Sequence, residues 1–395
     1  MQFKNTVKHT MIAAASAITL FTMNACDEMK DDLDECPQGL YVEFVYDYNV
    51  ERADMFNDHV GSVTLYVYDN EGRLVRTQTE ENTATTQPLR DKNYRMTVEG
   101  LPAGVYRLLA LANQRPYNQI AKDNGIRYIR TEGQKQQDLR VDLQELPAAT
   151  AVEKPVYQQQ LDTLWHGTLR SVEYGNTPIT RAEQTAKTVT VKTGAFTHCT
   201  MSLVRDTKRL HVAIHQTVNR ADCDIKDYEV YITDVNGRIL YDNTVDTQNQ
   251  PMITYRPFDE WNTYYDNVTG TSSYTVPEHE YEMTAHADLD FNRLMLRPAV
   301  GPVLPDLGLI NGTEPAMLYL IHRTTGKEVL HINLAEYLAQ GRGAFERYAY
   351  SGQEFLDRAY DYRLDFTLVG EEWKFISLHI HTLPWEMRWQ NVNLE

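Results

Sequence analysis

The sequence predicts an all-β protein with a repeated sandwich architecture, and three observations predict it. Short runs such as Leu40-Tyr41-Val42-Glu43-Phe44-Val45-Tyr46 and Val63-Thr64-Leu65-Tyr66-Val67-Tyr68 are rich in β-branched and aromatic residues and alternate as half-buried strands do. Three longer segments repeat one unit of strand, polar turn, Gly, basic residue and strand: LYVYDNEGRLV at 65–75, VYITDVNGRILY at 230–241 and YLIHRTTGKEVLHI at 319–332. Few segments read as helix, the candidates being Glu336 to Gln340 and Gln114 to Ile120.

The chain opens with a secretory signal. Lys4 and Lys8 form a positive n-region, and Met11 to Met23 is an uncharged apolar run. That run falls short of the ~20 residues a spanning helix needs. It ends at Met23-Asn24-Ala25-Cys26, which has the form of a lipobox cut between Ala25 and Cys26, although Asn24 departs from the small residue usual there. In that chemistry the Cys26 thiol takes a diacylglyceryl group, and the freed amine can take a third, palmitate-type chain. One acyl chain holds only marginally, at ~0.8 kcal/mol per buried CH₂, whereas two or three anchor stably. The alternative is ordinary signal cleavage, with Cys26 left free or in a disulfide. The residues from Asp27 to Glu35 are acidic and lack aromatics, as a solvated tether should.

With 395 residues, 42% of them hydrophobic and 24% charged, the chain is long enough for two or three domains. Removing the signal with Lys4 and Lys8 leaves 36 basic against 55 acidic residues, a net charge of −19. Such a surface argues against nucleic acid and bare anionic lipid as partners. Of 4 cysteines, assigning Cys26 to lipid leaves Cys36, Cys199 and Cys223, an odd set that makes no disulfide framework. A Cys199–Cys223 pair is open in an oxidising compartment, but sequence does not show that the two meet.

Within the repeated unit, Gly is expected because tight hairpin turns need a positive φ. In Gly100-Leu101-Pro102-Ala103-Gly104-Val105-Tyr106, Pro and Gly set a turn and Tyr106 leads into an apolar strand. "Leu-Pro-x-Gly-x-Tyr" recurs in transthyretin-like sandwiches. A polar, turn-rich stretch from about Ser171 to Thr185 suggests a boundary between an N-terminal sandwich at 37–175 and a C-terminal one at 186–395. Asp242 to Thr275 is too long and polar for an ordinary connection of ~4–6 residues, so it reads as an insertion or an elaborate surface loop.

No nucleophile elbow, phosphate loop, dinucleotide fingerprint or zincin helix is present, and Gly341-Arg342-Gly343 is only a loop fragment. The chain is read as a non-enzyme without a cofactor. His379 and His381 share a strand face, as do His211 and His215. Either pair has the spacing to bind a metal, but polar residues on a wet sheet face are the more ordinary reading, and no metal site is assigned. Asp357-Arg358 reads as a structural ion pair rather than an interaction point. Trp385 and Trp389 read as core packing rather than sugar binding.

Taken in order, several blocks resemble one family, the FimB-type minor fimbrium anchoring subunits of Bacteroides-type fimbriae. They begin with Cys36-Pro37-x-Gly39-Leu40 and continue through Asp54-Met55-Phe56, the Tyr68-Asp69-x-x-Gly72 hairpin and the Gly104-Val105-Tyr106 turn. Thr163-Leu164-Trp165-His166-Gly167, Glu354-Phe355-Leu356-Asp357-Arg358 with Tyr362-Arg363-Leu364, Trp373, and Pro384-Trp385-Glu386-Met387-Arg388-Trp389-Gln390-Asn391 follow. Trp165 stands where the family often has Tyr. Lys30-Asp31-Asp32 resembles the export tag of lipoproteins on the outer face of the outer membrane, and Asp162-Thr163-Leu164 resembles an O-glycosylation site of the same bacteria.

The resemblance implies two tandem transthyretin-like sandwiches behind the signal peptide (1–25) and an acidic lipidated tether (26–36). It implies an outer-membrane lipoprotein at the base of a fimbrium, docking the first stalk subunit by strand pairing. An incomplete sandwich exposes unpaired backbone and an apolar groove, and a foreign strand satisfies both. Related stalk subunits lose their lipid by cleavage after an Arg. No Arg lies between Cys26 and Leu40, which fits a subunit that keeps its lipid. The chain ends at Glu395 soon after the Trp389 block, so no long C-terminal donor strand is expected. The competing function is a surface adhesin or glycan-binding lipoprotein using the Asp242–Thr275 loop.

Overall fold

The computed structural model describes residues 37–115, 126–144, 155–171, 186–248, 250–297, 315–382 and 385–389, with the side chains of 380–389 left aside. The chain is all-β, as its alternation predicts. Strands are numbered in chain order.

The first sheet has eight strands. Its path runs β3 (Leu74–Glu81), β2 (Ser62–Asp69), β5 (Gly104–Asn113), β9 (Leu164–Leu169), β11 (Phe196–Arg205), β1 (Gly39–Val45) and β4 (Met96–Glu99), with β10 (Val189–Val191) pairing β5. It curls around one core containing Leu40, Val42, Val63, Leu65, Leu108 and Trp165. The opposite face of β2 and β5 sends Tyr66, Tyr68, Leu109 and Leu111 into a second core. Both faces of β2 are therefore buried, which explains its nearly continuous apolar run. β1 runs parallel to β11, and β9 and β11 pair across the stretch that the sequence suggested as a boundary.

The second core is shared. A three-stranded sheet, β14 (Arg238–Leu240), β7 (Arg140–Leu143) and β6 (Tyr128–Thr131), contributes Tyr128, Val141, Leu143 and Ile239 to it. Two further sheets form a sandwich around it. One has the order β17 (Thr271–Ser273), β16 (Asp259–Asp266), β18 (Tyr281–Phe291), β12 (Lys208–Gln216), β21 (Asp361–Val369), β22 (Glu372–Thr382), β23 (Trp385–Trp389). The other is β20 (Lys327–Asn333), β19 (Met317–His322), β13 (Tyr228–Asp234), β15 (Ile253–Tyr255), β8 (Val156–Tyr157).

Two of the three repeated units are hairpins. β2 pairs β3 and β19 pairs β20, and Gly72 and Gly326 take φ of +78° and +67° in their turns. The third is not. β13 pairs with β15 and β19, whereas β14 pairs with β7, so the chain leaves one sheet and enters another at Val235-Asn236-Gly237. Gly237 does not adopt a positive φ. Asn236 is fully buried there, its amide donating to the carbonyls of Asn292 and Arg293. A polar turn signature does not distinguish a strand that returns from one that crosses, because both need only a local change of direction.

The Asp242–Thr275 stretch is likewise not a loop. It holds β15, β16 and β17. β16 is half exposed or exposed along most of its length, so it carries no apolar alternation from which a strand can be read. The predicted helix at Glu336 to Gln340 is present as Leu334–Ala339, with Asn333 Oδ1 accepting from the Glu336 N–H as its cap. Gly341-Arg342-Gly343 lies in the 3-10 run Gln340–Tyr348 that follows. The Gln114 to Ile120 candidate lies outside the described residues from Pro116 onward. A helix missed by periodicity, Gly352–Arg358, is capped by Ser351 and buries Phe355 and Leu356.

β11 passes into β12 through Asp206 and Thr207, both buried. The Asp206 N–H donates to Leu164 O at 2.9 Å, and Thr207 Oγ1 donates to Asp162 O at 2.8 Å. Lys208 Nζ donates to the carbonyls of Asp357 and Ala359 at 3.1 and 2.8 Å. This connection is thus part of the packed interior rather than a linker.

Candidate functional site

Two surfaces stand out in the second sandwich. The first is the solvent side of the seven-stranded sheet. In Thr284-Ala285-His286-Ala287-Asp288-Leu289-Asp290, strict alternation buries Ala285, Ala287 and Leu289 and turns the polar residues to the other face. β12 does the same with His211 and His215. Neighbouring strands bring Trp261, Arg363 and His379 to this face, and with Tyr274 they line a cleft of about 420 Å³.

His211 sits between two carboxylates, with Nδ1 2.6 Å from Asp288 and Nε2 3.1 Å from Asp361. Burial alone would lower its pKa, but these two bonds outweigh burial and raise it to about 9. His286 is opposite in sign. Burial first, then the nearby Arg363 guanidinium, push it down to about 4. Its ring stacks on Trp261, with centroids 5.0 Å apart and planes 8° from parallel. One sheet face thus carries a charged imidazole and a neutral one at neutral pH.

His211 and His215 have different partners, and the His379–His381 pair is described only at His379. His215 Nδ1 lies 3.1 Å from Thr284 Oγ1 and His379 Nε2 lies 3.0 Å from Asp365, so each imidazole has its own neighbour. Among the described residues, no group of three or more His, Cys, Asp or Glu is arranged to hold a metal ion. The His381, Trp385 and Trp389 side chains lie outside the described residues. Of the cleft residues, Trp261 and Asp288 carry no sequence motif, and Arg363 stands only within the Tyr362-Arg363-Leu364 block. The polar half of the β18 alternation is the signal that finds Asp288, whereas Trp261 on β16 and Arg363 on β21 are brought to it only by strand pairing.

The second surface is the edge of the five-stranded sheet. β20 pairs with β19 on one side, and beside it Val329, Leu330, Ile332, Trp373 and Ile376, with Glu328 and His331, line a smaller cleft of about 260 Å³. An apolar cleft beside a strand edge is the arrangement that accepts an added strand, with backbone pairing on one side and pockets for alternate side chains on the other.

Other residues read from sequence resolve as structure. Asp357 and Arg358 both form ion pairs, but with different partners, Arg293 at 2.8 Å and Glu354 at 2.7 Å. Thr163 is 6% exposed and its hydroxyl donates to Gln114 Oε1, so the Asp162-Thr163-Leu164 motif presents no accessible hydroxyl for a glycan in the folded chain. Cys199 and Cys223 are free thiols, Cys199 on β11 and Cys223 buried in the second core. Burial pushes them up to about 12 and about 11, respectively. Ala25, Cys26 and Cys36 lie outside the described residues. Among the described residues no helix is long and apolar enough to cross a membrane.

Comparison with known proteins places this architecture. A candidate adhesin from Bacteroides thetaiotaomicron superposes with a TM-score of 0.65 at 25% identity, covering 90% of this chain and 99% of its own. A candidate polysaccharide-binding protein from the same species gives 0.62 at 26%, covering 90% and 99%. The fimbrial anchor protein Mfa2 from Porphyromonas gingivalis gives 0.51 at 15%, covering 90% and 98%, a likeness of fold. No curated protein matches the chain. The family model for the fimbrillin-A associated anchor proteins Mfa1 and Mfa2 matches residues 33–391. The chain belongs to the family of fimbrillin-A associated anchor proteins.

Proposed function

We propose that this protein is an outer-membrane lipoprotein, cut before Cys26 and lipidated there, that holds a fimbrium to the cell surface by docking its first stalk subunit through strand pairing. The observation that carries the reading is the family match over residues 33–391. The signal, the lipobox Cys and the acidic tether at 26–36 supply the membrane side. The docking side is assigned to the β20 edge and its apolar cleft.

A Cys26→Ala variant should lose acyl labelling and leave the membrane fraction, and full retention overturns the lipid assignment. Docking is tested with a photo-crosslinking residue in place of His331, which is exposed on β20, and a control in place of Glu71, exposed in the β2–β3 turn. The expected product is a fimbrial subunit, identified by mass spectrometry, captured from His331 and not from Glu71. Capture from Glu71 alone, or from neither, removes β20 as the docking edge.

One observation favours a second reading as an adhesin. The cleft on the seven-stranded sheet places the Trp261 indole and the Tyr274 phenol beside carboxylate, imidazole and guanidinium groups, a mixture suited to a polar ligand with an apolar face. Glycan-array binding by the soluble chain, lost in Trp261→Ala, favours this reading over the anchor.

A further inference from the structure

The position of β1 has mechanical consequences. β1 and β11 are parallel and in register over seven pairs, from Gly39↔Phe196 to Val45↔Ser202. Their N-terminal ends therefore lie together. β11 then leads through Asp206 and Thr207 directly into β12 of the second sandwich. Residues just beyond the C-terminal end of β1 abut that same sandwich: the Arg358 guanidinium lies 3.9 Å from the Tyr48 ring centroid, and Tyr46 lies 6.4 Å from Tyr360. The N-terminal end of β1 thus faces away from the second sandwich, and it is the end that continues toward the tether.

Tension between the N-terminus and the second sandwich consequently pulls β1 and β11 along their lengths in opposite senses. In that geometry the ladder is sheared and its hydrogen bonds share the load. Pulling both strands from the same end would instead open the ladder one pair at a time. Each bond alone is weak, so the resistance comes from having to break many at once. β4 holds the other edge of β1 antiparallel over Gly39–Val42. Across the outer face, Arg95 sits 4.1 Å over the Tyr41 ring, and Tyr41 stacks on Phe196 at 4.4 Å, a clasp reaching from the start of β4 across β1 to β11. The entry point is pinned as well, with the Gly39 N–H donating to Ala195 O and the Gly100 N–H donating to Gln38 O.

We propose that β1, sheared between β11 and β4 and clasped by Arg95, Tyr41 and Phe196, is a force clamp that transmits tension from the N-terminal tether into the second sandwich. The proposal rests on the reading of Cys26 as the membrane attachment and of the second sandwich as the side that carries the fimbrium.

The test is single-molecule pulling on the lipid-free mature chain, residues 26–395, with one handle at the N-terminus. The second handle is an azide-bearing residue in place of Val218, exposed just after β12, or in place of Thr193, exposed in the turn before β11. With Val218 the force runs through the covalent backbone of β11 and β12, so the β1 ladder is loaded in shear; with Thr193 the same ladder is peeled. Forced unfolding follows the barrier, and the rupture force should be roughly twofold or more higher with Val218 at equal loading rate. Equal forces, or a higher force with Thr193, overturn the clamp. Tyr41→Ala should lower the Val218 force and leave the Thr193 force nearly unchanged, and a parallel drop in both assigns Tyr41 to general stability and overturns the clasp. Acyl labelling of Cys26 is read separately, so loss of the lipid assignment and loss of the force anisotropy are distinguishable.

Discussion

Arg358 lies under Tyr48, its guanidinium carbon 3.9 Å from the ring centroid, so a residue of the 352–358 helix in the C-terminal half is locked to the chain segment that leaves the first strand. The same guanidinium is fully buried, pairs with Glu354 at 2.7 Å and lies 4.8 Å from the Tyr350 ring. The two halves are therefore joined by a desolvated cation with aromatic and carboxylate walls.

Replacing Arg358 by Ala should destabilise the chain by ~3–5 kcal/mol, because Glu354 is left buried without its charge partner. Lys should not rescue it, since an ammonium lacks the planar fork and the stacking face. Adding Glu354→Gln to Arg358→Ala should recover part of the loss. Urea denaturation of the three variants measures this, and an Arg358→Lys variant of wild-type stability would overturn the assignment.

His211 makes a pH prediction with a definite sign. Its folded-state pKa is raised to about 9, so the stability it contributes is complete below the unfolded value of ~6.5 and is lost as pH rises through about 9. The difference in urea midpoint between wild type and His211→Asn should therefore shrink between pH 6 and pH 9. A difference that grows with pH excludes the Asp288–His211–Asp361 bridge as the cause.

The two kinds of Gly-containing turn are separable by substitution. Gly72→Ala forces a side chain into a φ of +78° and should cost ~1 kcal/mol. Gly237→Ala should be nearly neutral, because φ is ordinary and an added Cβ meets only Ile253 Cδ1 at 3.7 Å. Thermal unfolding of the pair checks it, and equal losses would show that 235–237 is a hairpin turn after all.

Tyr106 closes the Pro102 turn by donating its hydroxyl to the Pro102 carbonyl at 2.7 Å. Tyr106→Phe should cost ~0.5–1.5 kcal/mol, the net worth of one partly buried hydrogen bond. The readout is the denaturant midpoint, and no change means that water replaces the phenol.

The legibility of the chain follows burial. Strands with one face in a core, such as β1 with Leu40, Val42 and Phe44 inward, alternate visibly and were readable. β16 packs little of either face, so its sequence reads only as part of an insertion or surface loop, although Trp261, Thr263 and Tyr265 share one face of a regular strand. In the candidate site, the His211 and His215 spacing was legible, but the carboxylates that charge His211 come from β18 and β21, which are remote in sequence. The short capped helix Gly352–Arg358 carries too few turns for a 3.6-residue period to emerge.

By itself the sequence determined that this chain is built of strands, and where two of its positive-φ turns, at Gly72 and Gly326, fall. Each of these is a local property, set by adjacent residues and the backbone they allow. Only the tertiary structure decided which strands are neighbours: that β1 lies parallel to β11, that β14 joins β7 rather than returning to β13, and that Arg358 meets Tyr48. The reason is that parallel and crossover pairings are selected by burial of whole faces across long sequence separations, where the free energy resides in the shared core rather than in any turn.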